Sequence, residues 1–297
     1  MDHNTVVLQN LKERKNELMD YMKQDILLLA GIMYKAQQIY WNLYKIDIVT
    51  KITLPSLALT IFRKHFYDPI KTPISIPNAN VDSFIRRGYY GGHSDVYKPI
   101  GDNLFYYDIN SLYPYVMKKY PMPIGKGKWA TNLYDKNLDE LFGFIDAAVV
   151  CPYNINKPFL PYKAKDGTLI FGTGKFRGVY FSEELKYAES IGYDVTPLQG
   201  YLFDKGCGLF DKFVTELYDN RLKAKKEGND GLSYVYKILM NSLYGRFGIN
   251  PQSTITEICT REQYEQFLRK PGFMWSLWGM TSTFAAIARV VRNQMIM

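Results

Sequence analysis

The stretch YYDINSLYPYV, residues 106–116, decides how the rest of the sequence is interpreted. It follows the run NLF and contains one carboxylate, Asp108, and then Pro114. Because proline is tolerated in the first turn of a helix, the pattern predicts a buried strand that ends at Asp108, a tight turn, and then a helix. A carboxylate at such a turn is a candidate metal ligand, and two-metal chemistry needs a second carboxylate facing it.

The composition is that of a folded protein with a basic surface. The chain has 297 residues, of which 47% are apolar, and its 37 Lys and Arg against 29 Asp and Glu give a formal charge of +8. This length allows one large or two moderate domains, and the apolar content excludes a disordered chain. The excess of cations favours a polyanionic partner such as nucleic acid, although the charge forms no dense block.

Cysteines and apolar runs exclude several other classes of protein. Cys151, Cys207 and Cys259 are far apart and form no CxxC pair, so we expect neither a zinc site nor a disulfide framework. The longest apolar run, ILLLAGIM at residues 26–33, is shorter than the roughly 20 residues that cross a bilayer, and we expect a core helix there. No secretory signal is visible, so the sequence predicts a soluble protein with no membrane partner.

Hydrophobic periodicity divides the chain into helical and sheet-rich parts. Residues 11–45 have helical spacing, and three prolines within residues 68–80 indicate a domain boundary. Short β-like runs at residues 121–201 predict a small sheet. Helical spacing returns at residues 210–226 and 232–247, on either side of the polar loop EGNDG, and we expect these two helices to form a hairpin.

Both helices of the predicted hairpin carry cations. The first has an apolar stripe at helical spacing, formed by Phe210, Phe213, Val214 and Leu217. The second has a polar face at helical spacing, formed by Lys237, Asn241, Tyr244 and Gly248. The stripe continues as Arg221 and Lys225, and an antiparallel hairpin would bring these cations and Lys237 towards one end. Such a group suits a triphosphate; the alternative is that these are solvated charges on a surface helix.

Two segments resemble signature motifs of family B DNA polymerases. KILMNSLYG at residues 237–245 resembles motif B, and DINSLYP at residues 108–114 resembles motif A. Less specific matches are YMKQD at residues 21–25, similar to the third motif of the proofreading 3′–5′ exonuclease, and YYGG at residues 89–92, similar to the Y-x-G-G linker of protein-primed members. The motifs follow the order of the family. The sequence most resembles protein-primed polymerases of linear mitochondrial plasmids and related phages, which implies a mitochondrial location.

The resemblance implies roles for the residues around Asp108. Asp108 would bind the divalent metal ions, Mg²⁺ or Mn²⁺, with help from the carbonyl of Ile109. The backbone amides of Asn110, Ser111 and Leu112 would meet the triphosphate of the incoming dNTP, as a helix N-terminus can. Further along the same helix, Tyr113 would lie beneath the incoming sugar and exclude a 2′-hydroxyl.

Further roles follow from the other motifs. By resemblance, Arg221, Lys225 and Lys237 would hold the triphosphate. Asn241 would support that face, and Tyr244 and Gly245 would pack against the nascent base pair. Tyr89, Gly91 and Gly92 would contact the template strand of the DNA, although residues 91–92 would alternatively be only a tight turn. Tyr21 and Asp25 would belong to the exonuclease, with Asp25 as a metal ligand, although a pair at this helical spacing is also an ordinary surface contact.

The second carboxylate of the polymerase site is missing from the sequence. Family B enzymes supply it from a D-T-D hairpin, motif C, and no aspartate follows Asp230. Residues 280–294 resemble the helix before that hairpin, so we expect motif C within roughly 10 to 20 residues beyond Met297. The upstream exonuclease carboxylates are also absent, which leaves a stand-alone nuclease disfavoured. We therefore expect a fragment of a DNA polymerase, inactive by itself; the alternative is a non-catalytic remnant that binds DNA or a priming protein.

The predicted fold class is α+β, with the palm and fingers of a family B polymerase preceded by the tail of a ribonuclease H-like exonuclease domain. Six segments are expected along the chain: the exonuclease tail at 1–70, the Y-x-G-G linker at 71–100, the palm with motif A at 101–120, a sheet-rich insertion at 121–205, the fingers hairpin at 206–249, and a return to the palm at 250–297. The insertion occupies the place where protein-primed relatives hold the priming protein, also called the terminal protein.

Overall fold

A computed structural model describes residues 12–250, 252–268, 274–280 and 284–292. The chain divides into two compact units, Met1–Asn241 and Ser242–Met297. In the described part of the chain, no helix is both long and apolar enough to cross a bilayer. The six predicted segments stay predictions.

The first unit opens with helices that pack through aromatic side chains. Helices α1 (Lys15–Tyr44), α2 (Leu54–His65) and α3 (Ala79–Arg87) come first. Thr53 caps α2 by accepting from the Ser56 amide, and Asn78 caps α3 in the same way. The ring of Phe62 on α2 lies 5.2 Å from that of Phe210, at the start of a later helix. These contacts make the apolar face of that later helix part of the helical core.

An antiparallel sheet forms the middle of the first unit. Its strand order is β1-β6-β2-β5, with β2 in the interior. The chain here runs through α4 (Leu112–Lys119), β1 (Met122–Ala130), β2 (Gly143–Cys151), β3 (Tyr162–Lys163), β4 (Leu169–Ile170), β5 (Gly174–Phe181), α5 (Ser182–Ser190) and β6 (Asp194–Gly206). The short strands β3 and β4 form a separate two-stranded sheet, with no further strand paired to them among the described residues. The expected sheet-rich segment is therefore present as a sheet of four strands with a small hairpin beside it.

The sheet has one helix on each face. On one side, Ile145 of β2, Tyr180 of β5 and Leu185 of α5 are buried in a single apolar cluster. On the other side, Phe84 of α3 makes an edge contact with Tyr201 of β6, at 5.3 Å between ring centroids. Alternate residues of β2 thus face two different helices, as the period of two in a strand requires.

Helices α6 (Asp211–Lys226) and α7 (Asp230–Phe247) form where the helical hairpin is predicted. Gly228 has φ +72° and its amide donates to the Lys225 carbonyl, while the Asn229 amide donates to the Ala224 carbonyl. These two bonds are those of a Schellman motif, which ends α6 at a left-handed glycine. The side chain of Asn229 then accepts from the Leu232 amide and caps α7.

The second unit contains the end of α7 and three strands with one helix. They are β7 (Gln252–Thr260), α8 (Arg261–Leu268), β8 (Met274–Met280) and β9 (Phe284–Arg292). The three strands form an antiparallel sheet in the order β7-β9-β8. The helix predicted at residues 280–294 is therefore wrong, because residues 284–292 form the middle strand. Ile287, Val290 and Val291 are β-branched and suit a strand, and neighbours on both sides satisfy its backbone.

The strand predicted before Asp108 is also wrong. In the described residues, the segment 103–110 pairs with no strand, and its side chains are exposed: 80% for Phe105 and 96% for Tyr106. An extended segment becomes a strand only where a neighbour accepts and donates its backbone hydrogen bonds. The apolar residues of this segment favour burial, but no element among the described residues covers them.

Helix α1 confirms the predicted helix but not its burial. Ile26 and Leu29 are 62% and 59% exposed, so residues 26–33 do not lie in the core described here. Consecutive apolar residues occupy every side of this part of the helix, and no single packed face could bury them all. The C-terminal end does reach the core, since Tyr40 and Tyr44 are buried and burial raises the pKa of Tyr40 to about 12.

Candidate nucleotide and template site

Asp108 lies three residues before Ser111, the N-cap of α4, in an irregular exposed segment. Ser111, the N-cap residue, has φ 55° and ψ 43°, a left-handed conformation that costs a residue with a Cβ roughly 1–2 kcal/mol. Its carbonyl accepts from the Tyr115 amide at 2.9 Å, and its side chain makes no cap hydrogen bond. The first turn of α4 is therefore not covered by its own cap residue, and Pro114 is buried in that turn as predicted.

Helix α4 lies antiparallel against α6, with a contact at each end. At one end Arg221 Nη1 donates to Ser111 Oγ at 3.5 Å, and at the other Lys118 Nζ lies 3.8 Å from Asp211 Oδ1. Between these contacts is a cavity of about 240 Å³ lined by both helices, with Asn110 and Ser111 at one border. The structure therefore brings the motif A segment and the first cation of the hairpin together.

The apolar stripe predicted on α6 is confirmed, because Phe210, Phe213, Val214 and Leu217 are all buried. Arg221 is half-buried beside α4, whereas Lys225, one turn further, is exposed. On α7, Lys237 and Asn241 are exposed on one face. In the part of the chain that the structure describes, none of these cations makes a hydrogen bond or ion pair with Asp108. Arg221 thus lies beside the start of α4, and the predicted convergence of Arg221, Lys225 and Lys237 near Asp108 stays a prediction.

The remaining residues predicted around the nucleotide are exposed to solvent. Ile109 is 66% exposed and Tyr113 is 59% exposed, and Leu112, which begins α4, is also open to solvent. Tyr244 and Gly245 lie near the end of α7, within the second unit, and both are exposed. Each is accessible to a ligand, and their roles stay predictions.

The Y-x-G-G segment follows the end of α3. Tyr89 is 68% exposed, and its amide donates to the Arg86 carbonyl at 3.2 Å. Gly91 and Gly92 are exposed, with no heavy atom of the described chain near the position of a Cβ on either. Tyr90, which lies between Tyr89 and Gly91, turns inward, and its hydroxyl donates to the Val179 carbonyl of β5 at 3.0 Å. The sequence interpretation did not assign Tyr90 a role, although an aromatic residue at the variable position was a visible signal.

The two predicted exonuclease residues lie one turn apart on α1. Tyr21 is half-buried and Asp25 is exposed. In the described residues, no group of three or more His, Cys, Asp or Glu side chains is placed to hold a metal ion. Asp25 and Asp108 therefore belong to no such group within those residues, and each supplies a single carboxylate.

Comparison with known proteins agrees with this architecture. Residues 6–273 match the family model described as DNA polymerase type B, organellar and viral. A probable DNA polymerase of Neurospora intermedia is 36% identical over 259 residues, which are 84% of this chain and 26% of that protein. A probable DNA polymerase of Podospora anserina is also 36% identical, over 262 residues, covering 88% of this chain and 21% of that protein.

A solved structure shows the same fold. Phi29 DNA polymerase in complex with primer-template DNA and incoming nucleotide superimposes with a TM-score of 0.54 at 20% identity, over 71% of this chain and 39% of that chain. The predicted α+β polymerase fold is thereby confirmed. The chain spans about a quarter of the length of these two relatives. From its family match and its fungal relatives, the chain belongs to the organellar and viral type B DNA polymerases.

Proposed function

We propose that the protein is a DNA-directed DNA polymerase, which transfers a deoxynucleotide from a dNTP to a primer 3′-hydroxyl under the direction of a template and releases pyrophosphate. The observation that carries the proposal is the contact between Ser111 and Arg221, because it joins the start of α4, three residues after Asp108, to the basic face of α6. The names of the fungal relatives and the DNA and nucleotide bound by the phi29 enzyme support the same conclusion.

The triphosphate would lie between the start of α4 and the last turns of α6. A guanidinium can hold phosphate oxygens through two parallel N–H donors, and Arg221 already points to Ser111 at that place. The backbone amides of residues 110–112 would face the same anion. Lys225 and Lys237 would add positive charge, with Asn241 beside Lys237 on α7. Tyr113 would limit the sugar to the deoxy form, and Tyr244 with Gly245 would face the base pair.

Asp108 is proposed as one ligand of the catalytic metal, with the Ile109 carbonyl beside it. Protein sites for Mg²⁺ commonly use only one or two carboxylates together with phosphate oxygens and water. An exposed carboxylate next to a proposed triphosphate site fits that pattern, although the described residues by themselves do not complete the site. When bound, Mg²⁺ or Mn²⁺ would supply charge neutralisation at the phosphates.

Further parts of the proposal concern DNA and partners. The template would pass Tyr89, Gly91 and Gly92, which are exposed at the edge of the first unit's sheet. The sheet of β1, β2, β5 and β6 would contact a priming protein, and Tyr21 with Asp25 would belong to a proofreading exonuclease. A mitochondrial location, on a linear plasmid or similar element, fits a family described as organellar and viral.

The test of the polymerase proposal is primer extension by the complete coding sequence that contains these residues. Asp108→Ala should reduce Mg²⁺-dependent extension about a thousandfold or more, since a metal ligand would be lost. Asp135→Ala removes an exposed aspartate elsewhere in the first unit and should leave extension unchanged. Extension retained by Asp108→Ala would reject the assignment.

The same assay tests the phosphate contact. Arg221→Ala should raise the KM for dNTP about tenfold or more, because a bidentate cation would be removed. Lys212→Ala, an exposed cation near the opposite end of α6, is the matched control and should not change KM. An unchanged KM for dNTP in Arg221→Ala would show that Arg221 does not bind the triphosphate, and the proposal would then lose its main support.

A second candidate function is binding of DNA or a priming protein without chemistry. It is favoured by the lack of a carboxylate cluster in the described residues, together with the net charge of +8. In that case the 297-residue chain would bind primed DNA with an affinity that falls steeply with salt. The complete coding sequence would then show the same binding with no nucleotide incorporation.

A further inference from the structure

In the described residues, neither packing nor backbone conformation requires glycine at either member of the glycine pair, Gly91 and Gly92. A Cβ atom built on either residue has no heavy atom of the described chain within 4 Å, so packing does not exclude a side chain. Neither residue has a positive φ angle, so the backbone does not exclude one either. Glycine is also used where another molecule must approach the backbone closely. The open space beside the pair is consistent with that use.

Tyr90 fixes the chain immediately before the glycine pair. Its ring stacks on Tyr180, with centroids 5.6 Å apart and planes at 26°. Its hydroxyl donates to the Val179 carbonyl, and burial raises its pKa to about 12. Tyr180 is itself fully buried and donates to the Pro161 carbonyl at 2.6 Å. Tyr90 is thus packed on a ring that is itself buried in the core of the sheet.

His93 fixes the chain immediately after the glycine pair. Its ring is nearly parallel to that of Phe171, at 5° and 3.7 Å between centroids. Phe171 directly follows β4. Phe171 and Tyr180 therefore both lie in the sheet region of the first unit that comprises β3, β4 and β5, residues 162–181. His93 also makes an edge contact with Tyr97, at 6.3 Å. The two glycines are therefore held from both sides by aromatic stacks on residues that lie between β3 and α5.

Two cations accompany the stacks. Lys163 Nζ lies 5.4 Å from the ring centroid of Tyr90, and Lys157 Nζ lies 4.9 Å from that of Tyr97. Both lysines are exposed, so each ammonium can contact a ligand from the solvent side while it lies over its aromatic ring. An open backbone with one cation at the Tyr90 ring and one at the Tyr97 ring suits a phosphodiester chain better than an apolar peptide, and the Asp95 carboxylate, 3.7 Å from His93 Nε2, balances only one of these charges.

We propose that Tyr90 and His93 are positioning residues, which hold the glycine pair on the first-unit sheet region so that a nucleic-acid backbone can lie against it. The inference rests on the proposed function, because the occupant would be the template strand. The inference adds that the stacks of Tyr90 on Tyr180 and of His93 on Phe171 set the position of the template contact relative to the sheet region. The sheet region would then determine where DNA passes without itself contacting the bases.

The test measures the affinity of the 297-residue chain for a fluorescent primed template by anisotropy. Tyr90→Ala and His93→Ala should each weaken binding about fivefold, since each removes one stack. Tyr90→Phe and His93→Phe keep a ring for stacking and should bind within about twofold of the unmodified chain. Tyr153→Ala, which removes an exposed tyrosine in the same region, is the control and should bind normally.

A double-mutant cycle separates positioning from general destabilisation. Gly91→Ala has room for its methyl group in the free protein, so its melting temperature should not change while its affinity for DNA falls. If Tyr90 acts through the glycine pair, Gly91→Ala should cost much less in the Tyr90→Ala background. Additive losses would overturn the inference, as would normal binding by both alanine variants. Failure of the unmodified 297-residue chain to bind primed DNA would also overturn the inference, whereas the proposed polymerase function is rejected separately, by primer extension with the complete coding sequence.

Discussion

The sheet of the first unit and the segment that carries Asp108 contain similar residues in opposite environments. In the sheet, Ile145 and Tyr180 are completely buried between strands and α5. In residues 103–110, Phe105 and Tyr106 are almost completely exposed. Both regions are rich in apolar and aromatic side chains, so composition does not account for the difference. A packed core also needs partners within reach, and only the sheet has them among the described residues.

The comparison explains how an exposed aromatic segment can carry a candidate catalytic residue. The sheet is stabilised by its own ladder and by helices on both faces, and it can support other segments. The Asp108 segment is connected to the rest of the first unit through α4, whose two contacts with α6 hold its position. Stability and candidate chemistry are therefore located in different parts of the unit, as is common where a scaffold presents a site.

The largest expected effect is that of a cavity in the sheet. Ile145→Ala should lower the free energy of unfolding by about 2–5 kcal/mol, because a fully buried side chain is removed from a packed cluster. Urea unfolding followed by tryptophan fluorescence would measure it. A loss below about 1 kcal/mol would show that the sheet is packed no better than the exposed segment.

A smaller effect is expected at Asp146, which is 3% exposed and forms two hydrogen bonds with Arg177, at 2.9 and 2.8 Å. Burial raises the pKa of Asp146, but the hydrogen bonds and charge of Arg177 together outweigh it and hold that pKa below its ordinary value. Asp146→Asn should cost about 1–3 kcal/mol at pH 7, since charged hydrogen bonds are lost.

The same pair predicts a pH dependence. Because the pKa of Asp146 is lower in the folded than in the unfolded chain, its stabilisation is present above the unfolded pKa of about 3.9 and is lost as pH falls through the folded value. The difference in unfolding free energy between the unmodified chain and Asp146→Asn should therefore shrink between about pH 5 and pH 3. A difference that is constant over this range would contradict the assignment.

The hydroxyl of Tyr180 allows one buried hydrogen bond of the sheet to be tested by itself. Tyr180→Phe removes the donor to the Pro161 carbonyl but keeps the ring, and it should cost about 1–2 kcal/mol because a buried acceptor loses its partner. The measurement is again urea unfolding, with Tyr153→Phe as an exposed control. Equal stability of the two variants would mean that the Tyr180 hydroxyl contributes nothing.

The smallest effect is expected in the segment before Asp108. Phe105→Ala removes an aromatic side chain that is 80% exposed, so the unfolding free energy should change by no more than about 0.5 kcal/mol. Compared with Ile145→Ala, this is the direct test of the contrast between the two regions. A loss comparable to that of Ile145→Ala would show that Phe105 is buried in solution.

Local pattern was sufficient for most helices and for the sheet-rich segment. The α6–α7 hairpin, the stripe from Phe210 to Leu217 and the Pro114 turn all follow from spacing and capping rules, which act over a few residues. The strand before Asp108 and the helix at residues 280–294 failed because pairing depends on distant neighbours. The family resemblance placed Ser111 and Arg221 at the same triphosphate, but their direct contact, like that of Asp146 with Arg177, joins residues from separate elements and does not follow from local spacing.

The two contacts between α4 and α6 lie far apart along α6. Arg221 is ten residues from Asp211 along α6, which is about 15 Å of helix. If α6 tilted by about 10° around its Asp211 end, Arg221 would move by roughly 2.6 Å, enough to break its hydrogen bond with Ser111. A small rotation at the Lys118–Asp211 end would thus become a displacement of the Arg221 guanidinium large enough to make or break its contact with Ser111, three residues after Asp108.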